Sequence, residues 1–479
     1  MTSKRFAKKT AKQSVDKKRK SKTNFWQLAI VSVLCTIAML LCYYFFPLSD
    51  ESSRLGNPTE PGDNGISGVA KSQAVVFGDA ARLTLPKDTV TTSSGEEKKR
   101  LLGEVQKAVE SYPQDASILH IAGLTYSELQ QTEKAIEFLK KAIAVDANNP
   151  QTVVALAEIL MQVGKQEEAA TVLEHAINQG LATEPLLSTL GETYSQSGRM
   201  EDAVKTLERA VAIKSPQPEQ SKAPLRLAQA LTQLGRFEEA EKYARNSLSQ
   251  RPSDIAAYVA LSNVLMRQNK TEEALEIRKQ MPKPEPNLTV DDQKYEQSFR
   301  GFASHNYGLL GSAYAAHGSL SVAEQLFIRS LELTPDSATT ALLLADLLRR
   351  QGRTQDAIAT YKRLVVIQPD NLMNYHNLAS LAVSASDLPL AENALRMAIK
   401  ADSSGLADLQ LARFLLGTGN VGSVVSHAQI AVDRLGTIDA YLVLIDALRA
   451  IGDRASAFKA YLKAKAIAPN DPRLASFNS

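Results

Sequence analysis

A 14-residue stretch recurs along this chain of 479 residues. The copy GRMEDAVKTLERAV begins at Gly198, GRFEEAEKYARNSL begins at Gly235, and GRTQDAIATYKRLV begins at Gly352. The sixth residue of these three copies is alanine. The residue at this position marks ten copies, in nine of which it is alanine: Ala135, Ala169, Ala203, Ala240, Ala274, Ala323, Ala357, Ala391, Val424 and Ala457. Successive markers are 34, 34, 37, 34, 49, 34, 34, 33 and 33 residues apart. A fixed period of this length predicts a repeat architecture.

Each copy predicts two helices. Leucine stands thirteen residues before the marker in nine of the ten copies, and Gly, Ala or Ser stands twelve before it in nine. These residues indicate an amphipathic first helix with small residues at a close helix contact, followed by a turn and a second helix. The turns are centred on Gly164, Gly198, Gly235, Gly318, Gly352 and Gly452. One hairpin cannot bury its apolar face, so we expect an all-α solenoid of about ten stacked hairpins.

This pattern resembles the tetratricopeptide repeat (TPR) over residues 116 to about 470. The resemblance implies an α-solenoid whose first helices line a concave surface that binds peptides or protein segments. We assign repeats 1–5 to residues 116–281 and repeats 6–10 to residues 302–474, with an insertion at 282–301. Residues 96–115 resemble a lone second helix, which we expect to cap the N-terminal end of the stack.

The segment 23–48 contains no charged residue, and residues 25–48 span roughly 36 Å as a helix at ~1.5 Å per residue. Ten Lys and Arg residues precede it within residues 1–22. The positive-inside rule predicts a basic cytoplasmic tail (1–22), close to anionic lipid headgroups, and a transmembrane signal anchor (23–48). Residues 49–95 are rich in Gly, Pro, Ser and Thr and predict a flexible linker. The repeats are therefore expected on the extracytoplasmic side.

Other interpretations of the N-terminal region stay open. A cleaved signal peptide would also be apolar, although small residues of A-x-A type usually follow it and here CYYFFPLSD does. The basic tail could bind nucleic acid, but only Phe6 interleaves with its charges, so the pattern does not favour this. Both cysteines, Cys35 and Cys42, lie in the anchor, where they could pair two chains, accept a lipid or serve as apolar residues.

The residue eleven before each marker is expected to face the groove. The groove candidates at this position are Glu158, Glu192, Gln229, Asn263, Asp346, Arg413 and Asp446. Their composition predicts a polar, mildly acidic groove that favours basic or hydrogen-bonding segments. Alternatively, these polar side chains simply face water.

The insertion supplies a second set of candidate contacts. These are Lys294, Tyr295, Phe299, Arg300 and Phe302. Insertions in solenoids often map to a binding face, and this one could begin an extra or lengthened helix. The plainer interpretation is a spacer whose aromatic residues pack onto repeat six.

Signals for catalysis are sparse. The six histidines fall in different repeats without metal-ligand spacing, and no Gly-rich phosphate loop is present. We therefore predict no enzyme activity, no cofactor and no metal. The sequence predicts a membrane-anchored scaffold or adaptor for proteins. Two alternatives remain: a client-docking receptor of a secretion, polymer-export or import machine, and an inverted topology with the repeats in the cytosol.

Overall fold

The computed structural model describes residues 94–214, 218–282 and 291–477. These residues belong to the compact unit Ala70–Ser479. Within them every regular element is helical, with 21 α-helices, two short 3-10 helices and no strand. No helix in these ranges is long and apolar enough to cross a bilayer. The predicted tail, anchor and most of the linker, with Cys35 and Cys42, lie outside the described residues.

A single first helix is followed by ten helix pairs. The helices are α1 (Ser94–Ser111), α2 (Ala116–Glu128), α3 (Thr132–Val145), α4 (Pro150–Gln162), α5 (Gln166–Asn178), α6 (Glu184–Gln196), α7 (Met200–Ala212), α8 (Ala223–Gln233), α9 (Phe237–Gln250), α10 (Ile255–Arg267), α11 (Thr271–Gln280), α12 (Asp291–Ala316), α13 (Leu320–Leu333), α14 (Ala338–Arg350), α15 (Thr354–Ile367), α16 (Leu372–Ser384), α17 (Leu388–Ala401), α18 (Leu406–Gly417), α19 (Val424–Leu435), α20 (Ile438–Ala450) and α21 (Arg454–Ile467). The 3-10 helices are Pro218–Gln220 and Pro472–Phe477.

Each pair forms a helical hairpin, from α2 with α3 to α20 with α21. The residue five before the marker has a positive φ in all ten hairpins. Seven of these residues are glycines, such as Gly164 at 76°, and the others are Gln130, Asn269 and Ser386. A left-handed residue ends the first helix and turns the chain into the second. The sequence period therefore corresponds to ten hairpins.

Several first helices start at a polar residue that caps them. The Asp115 carboxylate accepts a hydrogen bond from the Ile118 backbone N–H at 2.9 Å, and Asn149, Asp254 and Asn371 cap α4, α10 and α16 in the same way. These side chains satisfy backbone donors that have no partner within the helix. The polar residue thus fixes where each of these helices begins.

The small residues allow the two helices of a hairpin to approach closely. All ten marker residues are buried. A Cβ atom added to Gly311 would lie 2.6 Å from Phe327 Cε1, which is closer than two such atoms can come. Larger side chains such as Leu139 and Leu173 fill the rest of the core. This close contact between the two helices explains why Gly, Ala or Ser stands twelve residues before the marker.

The ten hairpins form two stacks. Helices α2–α11 pack in chain order, and so do α12–α21. Helix α12, however, packs against α1 and α2 and makes no comparable interface with α11. Helix α1 therefore contacts the first hairpin of each stack. The predicted cap would have contacted only the first hairpin of a single stack. Helix α12 begins at Asp291, inside the predicted insertion (282–301), and is the first helix of the second stack.

A buried ion pair joins α1 to the second stack. Glu97 on α1 accepts a hydrogen bond from Tyr307 Oη at 2.7 Å and pairs with Arg329 on α13. Arg329 also donates to Glu332 at 2.7 Å. Glu97 and Arg329 are 2% and 5% exposed. We call this cluster, Glu97, Tyr307, Arg329 and Glu332, the α1 joint.

The charges and hydrogen-bonding groups of the α1 joint complement one another. Burial on its own would raise the pKa of Glu97, but hydrogen bonds from Arg329 and Tyr307 and the charge of Arg329 lower it below its usual 4.5. Burial, and next the hydrogen bond to Glu97, raise the pKa of Tyr307. Tyr307 therefore keeps its proton and Glu97 keeps its charge, so each group has the partner that it requires.

Aromatic contacts extend the same interface. The rings of Tyr112 and His317 stack with their centroids 3.9 Å apart, and Tyr112 Oη lies 2.9 Å from Ser319 Oγ. His317 Nε2 lies 2.8 Å from Asp115 Oδ2. These residues come from the end of α1 and from the turn after α12, so the two stacks are also joined beyond the ion pair.

We expect Glu97→Gln to loosen the α1 joint selectively. The substitution leaves the buried Arg329 without its main counter-charge, which costs about 3–5 kcal/mol in buried pairs. Amide hydrogen exchange should therefore accelerate in α1 and α12 and stay unchanged in α21. The matched control is Glu332→Gln, which removes the second and more exposed partner of Arg329 and should cost about 1 kcal/mol or less. Equal effects of the two variants would contradict this account.

Candidate functional site

The first helices of the hairpins carry the candidate surface. The predicted groove residues each lie on a different first helix and are exposed or half-buried. Their positions are Glu158 on α4, Glu192 on α6, Gln229 on α8, Asn263 on α10, Asp346 on α14, Arg413 on α18 and Asp446 on α20. We call this set the polar row, and all of it is accessible to solvent.

Neighbouring helices neutralise part of the polar row. Glu192 pairs with Arg226 on α8, and Arg226 Nη1 also donates to Ser188 Oγ at 2.9 Å. Arg413 Nη2 lies 3.0 Å from Asp439 Oδ2 on α20. These pairs link adjacent first helices. Their charges therefore serve contacts within the stack as well as any partner.

Other members of the row differ in their contacts. Asp346 pairs with Arg349 and Arg350 on its own helix, at 2.5 and 2.6 Å. Burial raises the pKa of Asp446, which the charge of Arg449 partly offsets. Glu158 has no ion pair within the described residues. The row is thus less acidic in effect than its composition predicts.

Exposed apolar side chains flank the polar row, and the sequence analysis missed them. They are Val259 and Met266 on α10, Leu342 and Leu343 on α14, Met373 and Val383 on α16, and Leu406 on α18. Met373 is 61% exposed and Leu342 is 44% exposed. The signal was present in the sequence, because Leu342 stands four residues before Asp346 and Met266 three after Asn263. Such spacings place two side chains on one helix face.

The spacing of the first helices explains this exposure in the second stack, although not that of Val259 and Met266 on α10. In the first stack, α4, α6, α8 and α10 pack directly against one another as well as against second helices. In the second stack, α14, α16 and α18 make no comparable interfaces with one another. The gaps between them leave apolar side chains uncovered. We call Leu342, Leu343, Met373, Val383 and Leu406 the apolar first-helix surface.

The predicted insertion residues lie mainly in packing contacts. Phe299 is buried and Phe302 is half-buried against the core. Tyr295 is exposed, and Lys98 Nζ on α1 lies 4.6 Å from its ring centroid. Arg300 is half-buried, and the side chain of Lys294 lies outside the described residues. Phe299 and Phe302 therefore pack against the core from α12, which runs without a break from Asp291 in the predicted insertion to Ala316.

Two histidine–carboxylate pairs deserve comparison with catalytic sites. His427 Nδ1 lies 2.7 Å from Asp408 Oδ1, and His317 Nε2 lies 2.8 Å from Asp115 Oδ2. In the described ranges neither histidine is hydrogen-bonded to a serine, threonine or cysteine that could act as a nucleophile. No group of three or more His, Cys, Asp or Glu side chains there could hold a metal ion. Both pairs fit roles in helix packing.

Family models identify repeats within this architecture. A model described as tetratricopeptide repeat matches residues 309–371. A second model with the same description matches residues 127–190, 194–245 and 231–293. The matched segments are tetratricopeptide repeats, and they fall in both stacks.

Curated relatives share only part of their length with this chain. Protein O-mannosyl-transferase TMTC1 of Mus musculus is 28% identical over 167 residues, which cover 34% of this chain and 16% of that protein. The Homo sapiens protein of the same name is 24% identical over 261 residues, which cover 54% of this chain and 24% of that protein. The chain thus spans less than a quarter of the length of either relative.

One solved structure that matches part of the chain is that of MamA. The crystal structure of MamA is 21% identical in sequence, with a TM-score of 0.30. The match covers 33% of this chain and 91% of MamA. The similarity therefore concerns a minority of the present chain.

We expect charge reversal to separate the two kinds of carboxylate in the polar row. Glu192→Lys places a cation beside the half-buried Arg226 and should cost about 1–2 kcal/mol of stability. Glu158→Lys breaks no ion pair and should stay within about 0.5 kcal/mol. Thermal unfolding followed by circular dichroism compares the two variants. Equal losses would show that Glu158 also supports the stack.

Proposed function

We propose that this chain is a membrane-anchored scaffold or adaptor whose repeats bind segments of other proteins. The observation that carries the proposal is the apolar first-helix surface. Repeated hairpins hold its side chains on rigid helices, at intervals along the second stack. Such a surface suits a partner segment that is longer than one repeat.

The energetic argument starts from solvent exposure. Burying one aliphatic side chain stabilises a complex by about 1.5–3 kcal/mol. Leu342, Met373 and Leu406 lie on three successive first helices, so a bound segment could bury all three. Exposed arginines further along two of these helices, Arg350 on α14 and Arg413 on α18, could orient the segment through polar contacts. Apolar anchors with a charged rim are the usual arrangement of a protein-binding surface.

A binding role accounts for more of the chain than a catalytic role. Tetratricopeptide repeats are found in both stacks, and repeats of this kind generally hold proteins together. Mannosyl transfer belongs to the relatives, of which this chain spans less than a quarter. We therefore propose that the described repeats recognise partners without transforming them.

The proposed location is supported by the N-terminal sequence. The uncharged segment 23–48 follows ten Lys and Arg residues, which favours a cytoplasmic tail and extracytoplasmic repeats. In this arrangement the linker holds the repeats near the membrane. The partners would then be proteins of the same membrane or of the compartment beyond it.

We expect photo-crosslinking to detect a partner at the apolar first-helix surface. Benzoylphenylalanine at Met373 or Leu342 should give discrete adducts in native membranes, because a bound segment covers these positions. The matched control is Leu388, which is exposed to a similar degree but lies at the start of a second helix.

The pattern of adducts separates the candidate functions. One stoichiometric adduct at Met373 supports a scaffold, and many weak adducts there support the client-docking receptor. Adducts of equal yield at Leu388, or none at Met373, would contradict binding at this surface.

We expect added protease to digest the repeats from outside sealed spheroplasts. Export across the membrane exposes residues 116–474 to the outside, so a C-terminal tag should disappear before lysis. A periplasmic protein and a cytosolic protein serve as controls for intact membranes. Protection of the tag until lysis would overturn the extracytoplasmic location and favour repeats in the cytosol.

A further inference from the structure

The last helix, α21, has an apolar face that nothing in the described residues covers. Phe458 is 59% exposed and Leu462 is 50% exposed, one helical turn apart. The 3-10 helix Pro472–Phe477 packs on α21 and buries Leu474, but it leaves both side chains in solvent. We call Phe458, Leu462 and their flanking basic residues the end face.

Comparison with earlier hairpins shows what normally covers this position. Phe458 directly follows the marker Ala457, as Val204 follows Ala203 and Ile358 follows Ala357. Val204 and Ile358 are only 3% and 4% exposed. Their helices, α7 and α15, pack against the next first helices, α8 and α16. Phe458 therefore stands at a position where a further helix would stack, whereas Leu462 stands where α7 and α15 carry Glu208 and Lys362.

The charge of α21 distinguishes it from every other second helix. The helix carries Arg454, Lys459, Lys463 and Lys465 and no Asp or Glu. Each of the other nine second helices has at least one acidic residue. At 100° per residue, Arg454 and Lys465 lie on one side of Phe458, and Lys459 and Lys463 lie on the other. All four are exposed. An apolar strip is thus bordered by positive charge on both sides.

We propose that the end face binds an acidic amphipathic helix of another protein, which stacks on α21 as a further first helix would. Apolar side chains of that helix cover Phe458 and Leu462, and its carboxylates meet the flanking basic residues. A second copy of the same face is disfavoured, because it would bring the two sets of basic residues together. This surface is separate from the apolar first-helix surface, so the chain can hold two partners at once.

The stability of repeat stacks supports this assignment. Terminal repeats normally present a polar outer face that keeps the stack soluble. The end of the first stack follows this rule only in part, because α11 exposes Leu275 at the position of Phe458 but has Lys279 at the position of Leu462. The end of the second stack departs from it. A partner helix would supply the missing polar cover.

The test uses a helix that already performs this role within the chain. Helix α20 stacks on α19, and its sequence IDAYLVLIDALRA contains Asp439, Asp446 and Arg449. A fluorescein-labelled peptide of this sequence with Arg449→Glu is the acidic probe, and one with Asp439→Lys and Asp446→Lys is the basic probe. Fluorescence anisotropy measures their binding to the full-length chain in phosphatidylcholine nanodiscs.

The proposal predicts a specific set of affinities. The acidic probe should bind at least about tenfold more tightly than the basic probe and should weaken as salt rises. Phe458→Ser with Leu462→Ser should weaken the acidic probe about tenfold or more. The matched control is Ile451→Ser, which removes an exposed apolar side chain of the same hairpin outside the end face and should leave binding unchanged.

Three results would overturn the proposal. The first is equal affinity of the two probes, or a loss of affinity in the Ile451 variant as large as that in the Phe458 and Leu462 variant. The second is flotation of the chain with phosphatidylglycerol vesicles that depends on Phe458 and Leu462, which would assign the face to a lipid surface. The third is concentration-dependent dimerisation that the Phe458 and Leu462 substitutions abolish, which would assign it to a second copy.

Discussion

The buried pair of Glu97 and Arg329 is the interaction on which the arrangement of the two stacks depends. Each charge would be costly at 2% and 5% exposure without the other. Together, and with the hydroxyl of Tyr307 and the carboxylate of Glu332, they hold α1 against the second stack. Replacing a whole buried pair by apolar residues is often neutral for stability, whereas removing one partner is costly. The pair holds α1 in the place beside α12.

The hairpins could be predicted from the sequence, because their determinants are local. The buried marker alanines, the left-handed turn residues and the capping residues each act within about 34 residues. The joint could not be predicted in this way, since Glu97 and Arg329 are 232 positions apart and neither belongs to the repeat pattern. The polar row was placed on the first helices, but the exposure of Met373 depends on gaps between helices that no single repeat encodes.

The two candidate surfaces have one physical cause. A helix in the stack leaves apolar side chains exposed wherever no neighbouring helix covers them. Where α14, α16 and α18 are spaced apart, apolar side chains remain open along the side of the stack. At α21, the last α-helix of the described residues, Phe458 also remains exposed. The same residue types that bury the core elsewhere stay exposed where no described helix covers them.

The α1 joint also affects the order in which the molecule folds. Nearly all interfaces connect helices that are neighbours in the chain, so their contact order is low and each hairpin can dock as soon as it is synthesised. Helix α1 is different, because its second partner is made only after five complete hairpins. During translation the Glu97 carboxylate therefore stays hydrated until α12 and α13 arrive. The first stack can form on the ribosome, whereas joining the two stacks has to be a late step.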